Sequence, residues 1–341
     1  MHASIRKKDT MRKLPLTITC ALLTSVCVLV AQDKKKEEPK TWEEKAAARF
    51  GDTPTDEHKK AIDEAIPSAT AVPMSPRKVL VFYRCEGFIH TSIPFGNYAL
   101  QQIADKTGAF TVDLADDYSV FTKENLAQYD GIIFNNTTRL VPNKDHQDAI
   151  LDFIKGGKGI MGIHAAADNF AEWPEGIALI GGIFAGHPWT AGGTWAFNLE
   201  DPDHTLNAAF GGNGQWHKDE IYWYEAESFE GRERLRVLMS LDMSKPKNIE
   251  PLNNERWKDK VEDPAKVDVP VSWCKKVGEG RLFFTNLGHN DMTFANEKVL
   301  QHMLDGIQFS LGDLEADTTP SSEVEVKIVP APDAPPETAS N

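Results

Sequence analysis

Short apolar runs alternate with amphipathic stretches between residues 78 and 168, and this rhythm constrains the fold more than any other feature. Residues 78–84 (KVLVFYR), 110–114 and 131–135 (GIIFN) read as apolar strands. Helical patterns cover 94–107, 123–129 and 143–155, the last with Ile150, Leu151 and Ile154 inward. A further apolar run at 159–163 follows the turn-forming pair Gly156-Gly157. Strands that are apolar without alternation are buried on both faces, and this spacing builds βαβ units with right-handed crossovers. The expected fold is α/β, a parallel sheet with helices on both faces.

After Asp168 the rhythm changes. Gly181, Gly182, Gly186, Gly192 and Gly193 interrupt a loop-rich region, and strand-like runs follow at 194–199, 220–224 and 236–241. This reads as an inserted loop- and strand-rich region. Residues 271–276 and 281–286 form a hairpin through the turn 277–280, and 296–311 is a closing helix with Val299, Leu300, Met303, Leu304 and Ile307 on one face. Residues 313–341 are acidic and proline-rich without core periodicity, and read as a disordered tail.

The N-terminus carries Arg6, Lys7, Lys8, Arg12 and Lys13, then an apolar stretch over 14–30 and the boundary Ala31-Gln32. This is the layout of a signal peptide over 1–31, which implies a periplasmic or secreted protein; a membrane anchor is the alternative. Residues 32–77 read as a charged linker with two short helices. Residues 78–312 form the main domain. Removal of the signal would leave Cys85 and Cys274, which read as free, buried thiols, with a single disulfide between them in an oxidising compartment as the alternative.

The formal net charge of −14, with no basic cluster in the globular part, excludes a nucleic-acid partner. No GxGxxG, Walker or CxxC pattern occurs, so no nucleotide cofactor is expected. A homo-oligomer is compatible with these features.

Four histidines fall at loop or strand-end positions: His90, His164, His187 in GHPW, and His289 in GHND. Ligands of open α/β sheets bind beyond the carboxyl ends of the strands, so sequence-distant imidazoles can converge there. Taken singly, each histidine is better read as a cap, core or loop residue. Asp168, one helical turn beyond His164, is placed to orient its imidazole or share a ligand. Asp219 and Glu220 open a strand with acidic groups next to Tyr222 and Tyr224, and carboxylate with imidazole is the donor mixture of both zinc sites and acid–base catalysis, which makes this pair a candidate ligand or general base. His90, His164, His187 and His289 are therefore candidate ligands of a divalent metal, zinc first. His164, His289, Glu220 and Asp168 are candidate catalytic groups, and Trp189, Tyr222 and Trp223 offer aromatic faces that suit a sugar.

Read together, GFIHTS (87–92), GIHAAAD (162–168), GGIFAGHPW (181–189), DPDH (201–204), DEIYWY (219–224), PVSWCKKVGEGRLFFTNLGHN (270–290) and the final helix resemble the ThuA-like, or trehalose utilisation, family. The resemblance spans about residues 78–311. It implies a flavodoxin-like fold related to the class I glutamine amidotransferases. In those enzymes a G-x-C-x-G elbow carries a nucleophilic cysteine, whereas here His164 stands at the elbow and Ala166 replaces the second glycine. Glutamine hydrolysis through a thioester is therefore not expected. The resemblance carries over His90, His164, His187, Glu220 and His289 as the site and implies a small carbohydrate as ligand. An exported enzyme acting on a glycoside or keto-sugar is the leading expectation. A non-catalytic sugar-binding module is the rival, and a hydrolase using Cys85 a third reading.

Overall fold

The computed structural model describes residues 40–226 and 229–335, so the expected signal segment lies outside the described residues. Among them, no helix is long and apolar enough to cross a membrane. Two helices precede the sheet, α1 (Trp42–Phe50) and α2 (Asp56–Glu64). Each begins at a threonine, Thr41 or Thr55, whose hydroxyl accepts a backbone N–H three residues on while that residue's side chain accepts the threonine's own N–H. This reciprocal cap explains how two nine-residue helices start within a charged, proline-punctuated segment.

The parallel half follows as β1 (Lys78–Phe82), α3 (Ile93–Thr107), β2 (Thr111–Ala115), α4 (Lys123–Leu126), β3 (Gly131–Asn135), α5 (Lys144–Lys155) and β4 (Gly159–Ile163). The second half runs through α6 (Pro174–Ile180), β5 (Phe184–Trp189), β6 (Thr194–Glu200), β7 (Gln215–Lys218), β8 (Ile221–Tyr224), β9 (Arg236–Leu241) and α7 (Pro246–Ile249). It closes with β10 (Pro270–Val277), β11 (Gly280–Thr285), α8 (Glu297–Ser310) and β12 (Ile328–Val329). The main sheet has ten strands in the order β12-β6-β9-β10-β11-β4-β3-β1-β2, with β7 also on β6, while β5 pairs β8 separately. From β2 to β11 every pairing is parallel. That portion has the 2-1-3-4-5 order of flavodoxin-like sheets. Beyond β11 the pairings are antiparallel.

Alternation along the strands divides the core between two faces. Val79, Val81, Ile133 and Met161 pack with Phe95, Leu100 and Ile103 of α3 and with Val299, Leu300 and Ile307 of α8. Leu80, Phe82, Ile132 and Ile160 pack with Ile150, Phe153 and Ile154 of α5 and with Leu179 of α6. Complete burial of such side chains contributes about 1.5–3 kcal/mol each. The uniformly apolar strands are thus the consequence of helices on both sides.

Two expectations are corrected. Residues 313–335 are not a loose tail: Asp313 accepts from Arg77 at 2.6–3.1 Å, Val237 N–H donates to Ser321 Oγ at 2.9 Å, and β12 pairs with β6. Polar and backbone bonds hold this segment, which is why hydrophobic periodicity did not announce it. After β4, instead of a helix carrying Asp168 one turn on, a single 3₁₀ turn spans His164–Ala167 and Asp168 follows it.

Candidate functional site

Three strand ends on the same sheet edge deliver three imidazoles: His90 from the loop after β1, His164 directly after β4, and His289 after β11. His164 has φ of +43°, a left-handed conformation that a non-glycine residue holds only when its surroundings fix it. Its surroundings do so. The side chain is fully buried, and its Nδ1 lies 2.8 Å from the Asn286 carbonyl oxygen. A carbonyl can only accept, so Nδ1 carries the hydrogen and the Nε2 lone pair of the neutral ring points into the site. Gly162 is required at this elbow, since a Cβ there would meet Phe284 at 2.8 Å and the Ala166 Cβ at 3.2 Å.

Glu220, immediately before β8, closes the group. His289 Nδ1 lies 3.2 Å from both His164 Nε2 and Glu220 Oε1, and His164 Nε2 lies 3.8 Å from the same oxygen. The His90 ring stands 5.1 Å from that of His164 and 5.0 Å from that of His289, and its Nδ1 is buried without a partner. Donor atoms of His90, His164, Glu220 and His289 all fall within 4.8 Å of one another. Zinc holds nitrogen and oxygen donors at about 2.0–2.2 Å in a tetrahedron, which separates them by roughly 3.4 Å. The donor set and its spacing fit a divalent ion, and the orphaned His90 nitrogen is a further sign of a missing partner.

The electrostatics agree. Burial, followed by the neighbouring imidazoles, lowers His90 well below the usual histidine value and His164 to about 4. Burial pushes the Glu220 carboxyl up, but contacts with His187 and His289 outweigh it and hold the group far below the usual carboxylate range. Neutral His90 and His164 beside an ionised carboxylate are the states a cation needs.

His187 does not join the four donors. It lies in β5 and reaches the other Glu220 oxygen, with Nδ1 to Oε2 at 3.1 Å, and this contact raises its pKa. It is an orienting partner of Glu220. Asp168 does not touch the His164 imidazole as the one-turn spacing suggested, because Asn286 occupies that role. It lines the same cavity, and burial raises it to about 6 against the opposing influence of Arg139. The cavity, about 250 Å³, is also walled by Phe88, Phe184 and Tyr222. Tyr222 was anticipated, whereas Trp189 and Trp223 are not among the lining residues. Trp189 is fully buried and donates to the Asn248 carbonyl, and Trp223 stacks on Trp257.

Sequence reading missed one carrier of the site, Asn286, and singled out Asp219 only as half of an acidic pair with Glu220. Asn286 also accepts the Tyr222 N–H and donates to the Tyr224 hydroxyl, locking β8 to the end of β11. Asp219, fully buried, accepts from the amides of Gly288 and Asn290 on either side of His289. The acidic pair suggested a ligand or general base, whereas this carboxylate anchors the backbone around His289. The third reading, a Cys85 nucleophile, finds no support: the thiol is buried, bonded to the Asn136 carbonyl and raised to about 11 by that burial. Cys85 and Cys274 are free and buried.

No curated protein matches the chain. Among solved structures, a ThuA-like protein of Bacteroides uniformis ATCC 8492 is 20% identical with a TM-score of 0.53, covering 70% of this chain and 93% of its own. A ThuA-like protein of Parabacteroides merdae ATCC 43184 is 18% identical with a TM-score of 0.52, covering 72% and 93% respectively. At these identities the likeness is one of fold. Residues 78–310, from the start of β1 to the end of α8, match the ThuA family, described as trehalose utilisation, and the chain belongs to that family.

Proposed function

We propose that the protein is an exported carbohydrate-acting enzyme that uses a divalent ion, zinc first, on a glycoside or keto-sugar. The observation that carries this reading is the convergence of His90, His164, Glu220 and His289 within 4.8 Å at the carboxyl ends of the parallel strands. The family's description supports a sugar as ligand, and the basic-then-apolar N-terminus supports export. A divalent ion held there would polarise a carbonyl or acidify a bound water.

The chain's own residues supply the rest. Asp168, raised to about 6, is the proton donor, while Glu220, which lines the same cavity, stays ionised. Two carboxyl groups with pKa values driven apart by their surroundings are the usual division between acid and base. Phe88, Phe184 and Tyr222 provide the apolar faces against which a sugar ring packs. The rival reading, a binding module, drew on an aromatic belt of which Trp189 and Trp223 lie away from the cavity.

The test is elemental analysis of the purified protein and of His164→Ala, followed by turnover on a panel of glycosides and keto-sugars. Stoichiometric metal lost in the variant, with turnover lost alongside it, is the expected result. Full turnover by His164→Ala on a substrate the wild type converts would overturn the assignment.

A further inference from the structure

Three of the four donors have their supports inside the family domain: Asn286 for His164, Asp219 for the loop of His289, and His187 for Glu220. The loop of His90 is also anchored inside the domain, by Thr138, which accepts the Gly87 N–H and donates to the Phe88 carbonyl, and by Ser92 Oγ, which donates to the Gly288 carbonyl. It has a further support, α1, which precedes the matched residues 78–310. Trp42 and Ala46 of α1 form a separate apolar cluster with Cys85 and Ile93, with Phe50, Tyr83 and Ile89 packed against it. The members of that cluster outside α1 all belong to the segment that leaves β1 and enters α3. Trp42 Nε1 also donates to Asp116 Oδ2 at 2.9 Å, which fixes the start of the helix.

Arg49, in the last turn of α1, grips both residues that precede His90. Its Nε donates to the Ile89 carbonyl at 2.9 Å, and its guanidinium lies 5.2 Å from the centre of the Phe88 ring. The Phe88 ring in turn packs edge to face with the His90 imidazole, with ring centres 4.8 Å apart at 77°. The His90 side chain makes no hydrogen bond through its buried Nδ1, so its aim depends on the backbone and on ring packing.

We infer that Arg49 is a positioning residue for His90, and that helix α1, outside the family domain, completes the site. The inference rests on reading the four-residue cluster as a metal site, and two readouts separate its failure from the failure of that reading. The first is hydrogen exchange of residues 84–92 in metal-free full-length protein. The second is zinc affinity by chelator competition. Both are measured for the wild type, Arg49→Ala, Arg49→Lys and the exposed α1 control Lys45→Ala.

Arg49→Ala should speed exchange in 84–92 while leaving 159–163 protected, and should weaken zinc binding about tenfold, the lower end for loss of an outer-shell partner. Arg49→Lys keeps a cation but loses the Nε donor and the planar face, so its values should fall between the two. Lys45→Ala should match the wild type. Wild-type exchange in Arg49→Ala overturns the inference, and so does faster exchange with unchanged zinc affinity. If the wild type takes up no zinc, the metal reading fails, and the exchange result alone decides whether Arg49 positions the loop.

Discussion

Asp219 Oδ2 accepts the Gly288 amide at 2.8 Å while its Oδ1 accepts the Asn290 amide at 2.9 Å, so one buried carboxylate brackets His289. Gly288 has φ of +134°, and a Cβ there would lie 2.8 Å from Ile163, so the turn depends on this anchor and on glycine together. Thr293 Oγ1 donates to the same carboxylate at 3.0 Å. Asp219→Asn would turn a donor amide toward one of these groups. An unsatisfied buried donor costs about 1–3 kcal/mol. Urea unfolding should show that loss, with zinc affinity reduced at least tenfold because His289 is no longer held. A variant with the wild-type midpoint and affinity would remove Asp219 from this role.

Asp168 gives the proposed chemistry a pH signature. Burial raises its carboxyl to about 6, so it is protonated below that value and ionised above it. A proton donor loses activity as it ionises, and kcat/KM should therefore fall as pH rises through about 6. Asp168→Asn should abolish that limb and lower kcat by roughly 10²- to 10⁴-fold, the usual contribution of a positioned acid. A pH profile whose alkaline limb survives in Asp168→Asn would assign the proton to another group.

Aromatic residues divide into cavity wall and core, and their variants should divide likewise. Phe88 is 56% exposed and lines the cavity. Phe88→Ala should raise KM severalfold with little change in the urea midpoint. Trp189 is fully buried with its indole N–H bonded at 2.8 Å. Trp189→Ala should cost about 3–5 kcal/mol and leave KM of the remaining folded protein close to the wild type. The reverse pattern would return Trp189 to the binding surface.

The sheet was legible because burial on both faces writes itself into composition: 131–135 and 159–163 are strands at those bounds, and 236–241 likewise. The converging histidines were legible because a parallel sheet sends its strand ends to one edge. The aromatic assignments were not. Trp223 follows Tyr222 on β8, and adjacent strand residues face opposite ways, so only one could reach the cavity. Trp189 lies two residues from His187, but the pairing of β5 with β8 shifts register between Gly186 and Trp189, which breaks the alternation. Asn286 was hidden for another reason: it acts on His164 through a main-chain carbonyl, which any residue possesses.

His302 allows a stability test away from the cavity. It is fully buried on α8, bonded at 2.8 Å to Ser272 Oγ and at 2.7 Å to the Leu206 carbonyl, and packed between Phe210 and Phe283. Burial lowers its pKa from 6.5 to about 4. Between those values the unfolded chain binds a proton that the folded protein does not, so stability rises with pH across this window. The contribution is complete above about pH 6.5 and is lost as pH falls toward 4, a change of roughly 3 kcal/mol. His90 and His164 act in the same direction, so the wild-type slope exceeds that of one group. Urea unfolding at pH 7.5, 6.0 and 5.0 should show His302→Gln less stable at pH 7.5 and with a shallower acid slope, smaller by up to one proton. An unchanged slope would mean that His302 charges within the fold as readily as in the unfolded chain.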